Sequence, residues 1–419
     1  MSGAGSSNKN SAGAAPSIPS QTTKDLTAGA IDAKSKGAAN TTNDLAANAL
    51  DANSNGVTNT SNGATGSDQD ITPKGSVTAA FDSAVLADWM HGQGFLDRPA
   101  LSAKPLTGGQ SNPTFLLTSG AQQFVLRKKP PGVLLPSAHA VDREYRVMQA
   151  LQGSDVPVPK LYAYSEDLNI VGTPFYLMEF LNGRVIVDQS LPGFTPAERG
   201  AIYTDMNRVM AALHKVDVNA VGLETFGRAG NYFGRQIARW SRQYQEARSE
   251  DISALESLIE WLPANIPEGD QTTIVHGDYR LDNLVLHPTE PRAIGLLDWE
   301  LATLGHPMAD FAYHCMSWHI PASLWRGIGG LDLKALGIPS EADYIKQYGA
   351  ATGFEGIEHW DFYIAYNLFR IAAILQGIAR RAQDGTAAAA DAIETGSKAK
   401  PLAEIGWKYA QRYEASRKR

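Results

Sequence analysis

One segment, from Ile274 to Glu300, constrains the fold of this 419-residue chain more than any other part of its sequence. It reads IVHGDYRLDNLVLHPTEPRAIGLLDWE, in which three short apolar runs are separated by a polar loop and by a proline-containing break. Short apolar runs bounded by Gly, Asn, Asp and Pro are typical of buried strands. The segment therefore predicts a strand, a polar loop and a strand hairpin, with polar side chains gathered where the strands end.

Three of these polar side chains form a pattern with a chemical meaning. Asp278 and Asn283 lie five residues apart in the loop, and Asp298 ends the third apolar run. Phosphoryl transfer needs cations against its spread negative charge, and Mg²⁺ prefers oxygen ligands such as those of Asn283 and Asp298. Asp278 is then free to orient an acceptor hydroxyl and take its proton. Each residue alone would fit an ordinary turn, but the joint pattern favours a kinase-type site.

The segment resembles the catalytic and metal-binding loops of the aminoglycoside phosphotransferase family, which are small-molecule relatives of protein kinases. The resemblance implies an α+β, bilobal protein-kinase-like fold, with an N-terminal mixed β-sheet lobe containing a helix and a mostly helical C-terminal lobe. It also implies ATP and Mg²⁺ as cofactors, Asp278 as the catalytic residue, and Asn283 and Asp298 as metal ligands. The sequence DWE stands in place of DFG. Arguments based on a protein-kinase activation loop therefore do not apply.

Two further polar residues are expected to support the catalytic loop. His276 precedes Asp278 by two residues and is expected to brace the loop. Asp310 lies in LGHPMADFAYHCM, which predicts a helix with apolar neighbours. The resemblance implies that Asp310 ties the backbone of the catalytic loop from below.

A nucleotide-binding lobe is implied upstream, and LTGGQSNPTFLL is its first feature. Gly108, Gly109, Ser111 and Asn112 lie between extended apolar stretches, which suits a hairpin whose backbone N–H groups approach phosphates. An ordinary glycine-rich turn would look the same, and Pro113 removes one donor.

A cation for the nucleotide phosphates is expected on the next strand. Arg127 follows the apolar run FVL and stands where the family carries a Lys. Lys128 follows at once, but strand alternation places it on the opposite face, which favours Arg127. In the helix predicted over about 137–152, Glu144 lies on the apolar stripe and needs a partner if it is buried. Kinase architecture implies that this partner is Arg127; a solvated basic run and an exposed helix edge are the alternatives.

The apolar run FYLMEFLNG resembles the hinge between the two lobes, although an ordinary core strand would read alike. The resemblance implies that adenine bonds backbone groups near Glu179 and Leu181, beside Met178.

Composition divides the chain into a tail and two lobes. No aromatic residue precedes Phe81, and the early sequence is dominated by Gly, Ser, Asn, Thr and Ala. Such a segment lacks the apolar surface for a core, so residues 1–76 are expected to be disordered. The nucleotide-binding lobe is predicted at 77–181 and the catalytic and acceptor-binding lobe at 182–419.

Several classes of function are disfavoured. A net charge of −7 without a long basic block predicts no nucleic-acid partner. No run of eighteen apolar residues occurs, and the start of the chain lacks the pattern of a signal peptide. A single cysteine, Cys315, excludes a disulfide framework. We therefore expect a soluble, cytoplasmic protein without a membrane partner.

The acceptor is predicted from a narrower resemblance. The segments FVLRKKPPG, MEFLNGR and WDFYIAYNLFRIAAILQGIARR resemble the branch of the family fused to acyl-CoA dehydrogenases in animals. This resemblance implies a hydroxyacyl-CoA acceptor and a separate acyl-CoA dehydrogenase as a possible partner. Arg370, Arg380 and Arg381 are candidate residues for binding the coenzyme A phosphates, and internal salt bridges or a solvated helix end are the alternatives.

Two other functions stay open at this point. The same chemistry on an aminoglycoside, an amino alcohol or a sugar is one alternative. An aminoglycoside is a polycation that needs carboxylates in its cleft, and Glu355, Glu358 and Asp361 leave this acceptor as an alternative. A non-catalytic nucleotide-binding module is conceivable because Arg127 replaces the usual Lys. Asp278, Asn283 and Asp298 are all present, which argues against that module.

Overall fold

A computed structural model describes the protein over residues 81–106, 112–132, 139–354, 357–385 and 391–418. The predicted tail at 1–76 lies outside these residues, as do Gly108, Gly109 and Ser111. The elements of the N-terminal part are, in chain order, α1 (Ser83–Gly92), β1 (Ser102–Pro105), β2 (Thr114–Ser119), β3 (Gln122–Lys128), α2 (Val141–Ala150), β4 (Leu161–Ser165), α3 (Leu168–Val171) and β5 (Phe175–Glu179). The lobe boundary predicted at 181/182 falls directly after β5.

The five strands form one sheet in the order β1-β2-β3-β5-β4, and all pairings are antiparallel. The expectation of a mixed sheet is therefore wrong in this detail. β2 and β3 are joined by the turn Gly120–Ala121, in which Gly120 has a φ of 59° that suits glycine. The short helix α3 connects β4 to β5. Short connections join antiparallel neighbours, whereas parallel neighbours need a long crossover.

The two faces of β3 bury different groups, which decides which cation faces the cleft. Lys128 is 2% exposed on the outer face, where its ammonium donates to the Val171 carbonyl and lies 5.4 Å from the centre of the Phe81 ring. Burial lowers the pKa of Lys128. Arg127 points to the opposite side, towards Glu144. The alternation predicted for these two residues is confirmed.

The C-terminal part is mostly helical, as predicted. Its elements are α4 (Pro196–His214), α5 (Tyr232–Ala247), α6 (Ser253–Ala264), β6 (Thr273–Val275), β7 (Leu284–Leu286), β8 (Ala293–Leu296), β9 (Thr303–Gly305), α7 (Pro307–Cys315), α8 (Leu333–Leu336), α9 (Glu341–Thr352), α10 (Trp360–Gln383), α11 (Ala392–Gly396) and α12 (Ala399–Arg417). Helix α4 begins with a capping box between Thr195 and Glu198. β6 pairs with β9, and β7 pairs with β8, so the polar loops lie between short antiparallel ribbons.

Helix α10 is the centre of this lobe. It is long and apolar enough to cross a membrane, but 94% of its most apolar window is buried within the protein. It packs against α5, α6, α7, α11 and α12. Such enclosure is the environment of a core helix, in which apolar side chains are removed from water on all sides.

Burial of His314 makes the stability of this lobe depend on pH. The ring lies among Tyr203, Tyr279, Trp318 and Tyr344, and burial lowers its pKa to about 3. Because the unfolded chain binds this proton at an ordinary pKa near 6.5, the free energy of unfolding falls as pH drops below that value. Between pH 7 and 5.5 we expect a loss of about 1 kcal/mol from this group. Urea unfolding at both pH values should show that loss diminished in His314→Phe; equal losses in both proteins would contradict it.

Candidate active site

The catalytic loop begins where β6 ends, and a helix holds its backbone. Asp310, in the first turn of α7, accepts hydrogen bonds from the N–H groups of His276 at 2.5 Å and Gly277 at 2.8 Å. Gly277 has a φ of 84°, and a Cβ there would lie 2.7 Å from the Leu301 carbonyl oxygen, so glycine is required. Asp310 thus makes the contact with the loop that the sequence predicted for it.

His276 joins the catalytic loop to the loop that carries Asp298. Its Nε2 lies 2.9 Å from the Leu297 carbonyl oxygen and therefore donates to it, while Nδ1 accepts from the Asp278 N–H at 3.3 Å. Its ring centre is 4.8 Å from that of Trp299. His276 therefore lies between the two loops with both nitrogens and one face of the ring engaged, and its bracing role stays a prediction.

The carboxylate of Asp278 is buried and held by three side chains. The Tyr313 hydroxyl donates to Oδ1 at 2.5 Å, and Arg280 Nε lies 2.9 Å from the same oxygen. Asn283 Nδ2 donates to Oδ2 at 3.1 Å. Burial alone would raise the pKa of Asp278, but Arg280 and the hydrogen bond from Tyr313 hold it below its usual value. The group is therefore ionised at neutral pH, with Oδ2 the less encumbered oxygen.

Asn283 and Asp298 present oxygen atoms beside this carboxylate. Asn283 Nδ2 also donates to the Asp278 carbonyl at 2.8 Å, which leaves the amide oxygen to face away from Asp278. Asp298 adopts the left-handed conformation, with a φ of 66°, which is uncommon for a non-glycine residue and is often retained at functional sites. Burial raises the pKa of Asp298, and its neighbours Glu144 and Asp278 raise it further.

These features fit a divalent cation. A cation would relieve the repulsion between Asp298 and Asp278 and would use the amide oxygen of Asn283. Within the described ranges, no cluster of three His, Cys, Asp or Glu side chains is placed to hold a metal. Mg²⁺ usually completes its shell with water and substrate phosphates, so two protein oxygens suit it better than a structural metal.

Arg127 connects the sheet to the second lobe through ion pairs. Its Nε lies 2.8 Å from Glu144 Oε2, and its Nη2 lies 3.3 Å from Asp298 Oδ1 and 3.6 Å from Glu300 Oε2. Burial alone would lower the pKa of Arg127, but Glu144 and the other acids raise it. The Arg127–Glu144 pair predicted from the sequence is present. In this structure, the guanidinium of Arg127 also forms an ion pair with the carboxylate of Asp298.

Asn112 contacts the acidic partner of this pair. Its side chain is fully buried, and its amide donates to Glu144 Oε1 at 2.7 Å. The Tyr176 hydroxyl donates to the other oxygen of Glu144 at 2.8 Å. The structure therefore places the amide of Asn112 in support of Glu144, and direct contact of Asn112 with the nucleotide stays a prediction.

The hinge residues have partly different surroundings from those expected. Met178 is buried beside Val125, its partner on β3. The Glu179 N–H donates to the Lys160 carbonyl at 2.8 Å, so this donor is already used within the sheet. Leu181 packs over Gly295, where a Cβ would lie 2.1 Å from Leu181 Cδ1. Of the residues expected around adenine, Glu179 therefore has its N–H already engaged, and adenine binding at this segment stays a prediction.

The three arginines predicted to bind the acceptor do not converge. Arg370 is 6% exposed, donates to the Gly277 carbonyl at 2.5 Å and lies 4.9 Å from the Tyr313 ring centre. It therefore supports the catalytic loop and does not open onto solvent. Arg380 lies ten residues further along α10, about 15 Å away, and pairs with Asp384. Arg381 is next to it on the same helix end and has partners of its own.

Three residues at the site were not predicted. Tyr313 is three positions after Asp310 on α7, so helical spacing places both on one side of the helix. That spacing could have predicted that Tyr313 also faces the catalytic loop. Arg280 lies in HGDYRLDN itself, two residues after Asp278. Tyr176 shares β5 with Met178, and only the packing of α2 onto the sheet brings it to Glu144.

Comparisons with known proteins identify the family of this chain. A family model described as the phosphotransferase enzyme family matches residues 102–374. Acyl-CoA dehydrogenase family member 10 from Mus musculus is 47% identical over 304 residues, which is 72% of this chain and 28% of that protein. The chain spans less than half the length of this and the next curated relatives that it matches. The resemblance to this branch is confirmed.

Solved structures show the same fold. A Ralstonia eutropha protein, provisionally described as an aminoglycoside phosphotransferase, is 55% identical, has a TM-score of 0.73, and covers 79% of this chain and 99% of its own. A ternary complex of aminoglycoside phosphotransferase APH(4)-Ia with AMP-PNP and hygromycin B has a TM-score of 0.50 at 14% identity, covering 77% of this chain and 99% of its own. The predicted bilobal, protein-kinase-like fold is confirmed.

Proposed function

Because the chain belongs to the phosphotransferase enzyme family, we propose that it transfers the γ-phosphate of ATP to a hydroxyl group of a small molecule. The observation that carries this proposal is the ionised carboxylate of Asp278 beside Asn283, with Asp298 held close by Arg127. An acid, an amide and a cation in this arrangement supply a base, metal ligands and a phosphate clamp. The complex of APH(4)-Ia with AMP-PNP supports ATP as the donor.

In the proposed reaction, Oδ2 of Asp278 accepts the proton of the acceptor hydroxyl. The acceptor oxygen forms a bond to the γ-phosphorus, the bond from that phosphorus to the β,γ-bridging oxygen breaks, and ADP leaves. Mg²⁺ held by Asn283 and Asp298 would neutralise charge on the phosphates. Arg127, oriented by Glu144, moves from Asp298 towards the phosphates when the nucleotide is bound.

The finer proposal is a hydroxyacyl-CoA acceptor. It is supported by the similarity to acyl-CoA dehydrogenase family member 10, whose longer chain contains a segment like this one. Phosphorylation would convert the hydroxyl into a better leaving group, and a separate acyl-CoA dehydrogenase would be the partner that uses the same acyl chains. We place this chemistry in the cytoplasm, as the sequence predicts.

The aminoglycoside alternative has less support from the described acids. Asp361 accepts from Arg412 Nε at 2.6 Å and is therefore committed within the lobe. Glu355 lies outside the described residues, and Glu358 alone does not form the carboxylate cluster that a polycation needs. A non-catalytic module would be expected to lack one of the three site residues. Here Asn283 donates to Asp278, and Asp278 lies close enough to Asp298 to affect its pKa.

The proposal predicts a phosphorylated product. Purified protein with Mg²⁺ and ATP is incubated separately with 3- and 4-hydroxyacyl-CoAs, amino alcohols, sugars and a kanamycin-type aminoglycoside, and ADP release and product mass are followed. We expect the mass of one added phosphate on a hydroxyacyl-CoA. Omission of Mg²⁺ and the Asp278→Asn protein are the controls. Phosphate on another acceptor would contradict the proposed substrate. ATP binding without any product would contradict the proposal that the protein is an enzyme.

A further inference from the structure

One row of side chains crosses the N-terminal sheet on the face that α2 covers. Thr114 on β2 lies directly opposite Arg127 on β3, and Arg127 lies directly opposite Tyr176 on β5. Residues that lie opposite each other on neighbouring strands point to the same side of a sheet, so these three side chains are neighbours. Glu144 on α2 contacts two of them, through an ion pair with Arg127 and a hydrogen bond from Tyr176. The row therefore brings the proposed phosphate clamp and a neutral hydroxyl to one carboxylate.

Neutral donors occupy both oxygens of the Glu144 carboxylate, which is 1% exposed. The Tyr176 hydroxyl donates to Oε2 at 2.8 Å, and the Asn112 amide donates to Oε1 at 2.7 Å. Burial raises the pKa of Tyr176, and the charge of Glu144 raises it further, so this hydroxyl keeps its proton at neutral pH. Two directed bonds, one to each oxygen, fix the plane in which the carboxylate lies.

Asn112 is itself held in one orientation. A carboxylate can only accept hydrogen bonds, so the amide nitrogen of Asn112 faces Glu144 and the amide oxygen faces the other way. That oxygen lies 3.1 Å from Nδ1 of His139, which is therefore the donor in this contact. The backbone carbonyl of Asn112 accepts a further bond from the Thr114 hydroxyl at 2.9 Å. The chain that leads into β2 is thus tied to Glu144 through an amide with both of its ends engaged.

Arg127 meets the carboxylate of Glu144 with one edge of its guanidinium. Its Nε lies 2.8 Å from Oε2 but makes no hydrogen bond to any residue that the structure describes, so this contact is an ion pair without a directed bond. The two terminal nitrogens have other neighbours: Nη1 lies 3.5 Å from the Thr114 hydroxyl, and Nη2 lies 3.3 Å from Asp298. The ion pair attracts Arg127 to Glu144, whereas the directed bonds that orient Glu144 come from Tyr176 and Asn112.

An arginine suits this arrangement better than a lysine. Its Nε can stay beside Glu144 while Nη1 and Nη2 reach two phosphate oxygens at once. A lysine carries all of its donors on a single nitrogen, and that nitrogen would have to serve both Glu144 and the phosphates from one position.

We propose that Tyr176 and Asn112 are positioning residues for the donor phosphates: they orient Glu144, and Glu144 holds Arg127 by its Nε edge so that Nη1 and Nη2 face the phosphates. The inference rests on the proposed function, in which Arg127 is the phosphate clamp. It adds that position 127 of this chain requires an arginine and that Tyr176 affects nucleotide affinity through Arg127.

A double-mutant cycle on nucleotide affinity tests this inference. The Kd for MgATP is measured by calorimetry for the full-length wild type, Tyr176→Phe, Arg127→Lys and the protein that carries both changes. Tyr176→Phe removes one hydrogen bond to a charged group and should raise this Kd about 10-fold. Arg127→Lys keeps the charge but should also raise it by at least about 10-fold. Because Tyr176 acts through Arg127, Tyr176→Phe should raise the Kd by less than about twofold in the Arg127→Lys background.

Tyr164→Phe is the matched control for Tyr176→Phe. Tyr164 continues the same row on β4, directly opposite Tyr176, and its hydroxyl donates to Glu166 at 2.7 Å. The control therefore also removes a hydroxyl that serves a carboxylate, but Glu166 belongs to none of the ion pairs of Arg127. We expect Tyr164→Phe to bind MgATP with the Kd of the wild type.

The outcomes separate this inference from the proposed function, because binding of MgATP needs no acceptor. An unchanged Kd in Tyr176→Phe would overturn the positioning role, as would equal factors in the two backgrounds, which indicate a general effect on the lobe. Wild-type affinity in Arg127→Lys would overturn the requirement for arginine. If the wild type binds MgATP but phosphorylates no acceptor, the proposed function fails while the cycle still decides the inference; a wild type that does not bind MgATP overturns both.

The midpoint of thermal unfolding shows whether each variant is folded. If Tyr176→Phe does not fold, Asn112→Ser replaces it in the same cycle, because it removes the directed bond to the other oxygen of Glu144. The same loss of affinity, confined to the background with Arg127, is then expected, and equal losses in both backgrounds overturn the inference.

Discussion

Asp278→Asn is expected to lower kcat by about a thousandfold while the Kd for MgATP changes little. The amide has nearly the same shape as the carboxylate, but it cannot accept the proton of the acceptor hydroxyl. The nucleotide is expected to contact Arg127 and the metal ligands and not the base, so its binding persists. The measurement is the steady-state rate of phosphorylated product, with the Kd for MgATP obtained by calorimetry on the same preparation.

A fold control is needed because Asp278 is buried and ion-paired with Arg280. The midpoint of thermal unfolding shows whether the variant protein is intact. Asp251→Asn, at an exposed carboxylate paired with Arg248, removes one charge from the same lobe without touching the site. Full activity in a folded Asp278→Asn protein would show that another group accepts the proton.

Asp298→Ala is expected to abolish the dependence of nucleotide affinity on Mg²⁺ and, with it, most turnover. In the wild type, ATP should bind more tightly with Mg²⁺ than with a chelator. Loss of a direct ligand should weaken the metal by at least about 100-fold, since loss of supporting residues alone costs 10- to 100-fold. The ratio of the Kd for ATP with chelator to that with Mg²⁺ should therefore fall towards one in this variant.

Asp298 also pairs with Arg127, so the variant changes two things at once. Glu300→Gln separates them, because Glu300 lies 3.6 Å from the same guanidinium nitrogen but is not assigned as a ligand. We expect Glu300→Gln to alter the affinity for ATP equally with and without Mg²⁺. If its ratio of Kd values falls as far as that of Asp298→Ala, release of Arg127 and not metal binding explains the effect.

The parts of the site that sequence pattern predicted are those whose partners are near in the chain or follow from periodicity. Asp278 and Asn283 are five residues apart, and their contact within one loop follows from that spacing. The choice of Arg127 over Lys128 follows from the alternation of side chains along a strand. Glu144 was expected to be buried because it lies on the apolar stripe of α2.

Predictions that needed distant contacts fared differently. Asn112 was expected at the phosphates, but the packing of α2 brings Glu144 to it across 32 residues. Arg370 was expected at the acceptor, but α10 lies directly beneath the catalytic loop, so its guanidinium meets the Gly277 carbonyl. The sheet is antiparallel and not mixed, and short connections explain this for the β2–β3 and β4–β5 pairs.

The sequence by itself indicated the loop acids, the amide and the strand cation of the site and the element on which each one lies, since apolar periodicity and turn residues act locally. The tertiary structure alone decided which partner each group finds. Arg127 meets Asp298 across 171 residues, and Tyr313 meets Asp278 across 35. Such pairings depend on how helices and strands pack, and the same local pattern is compatible with many packings. Which carboxylates surround a buried guanidinium such as that of Arg280 is therefore settled only when the elements are assembled.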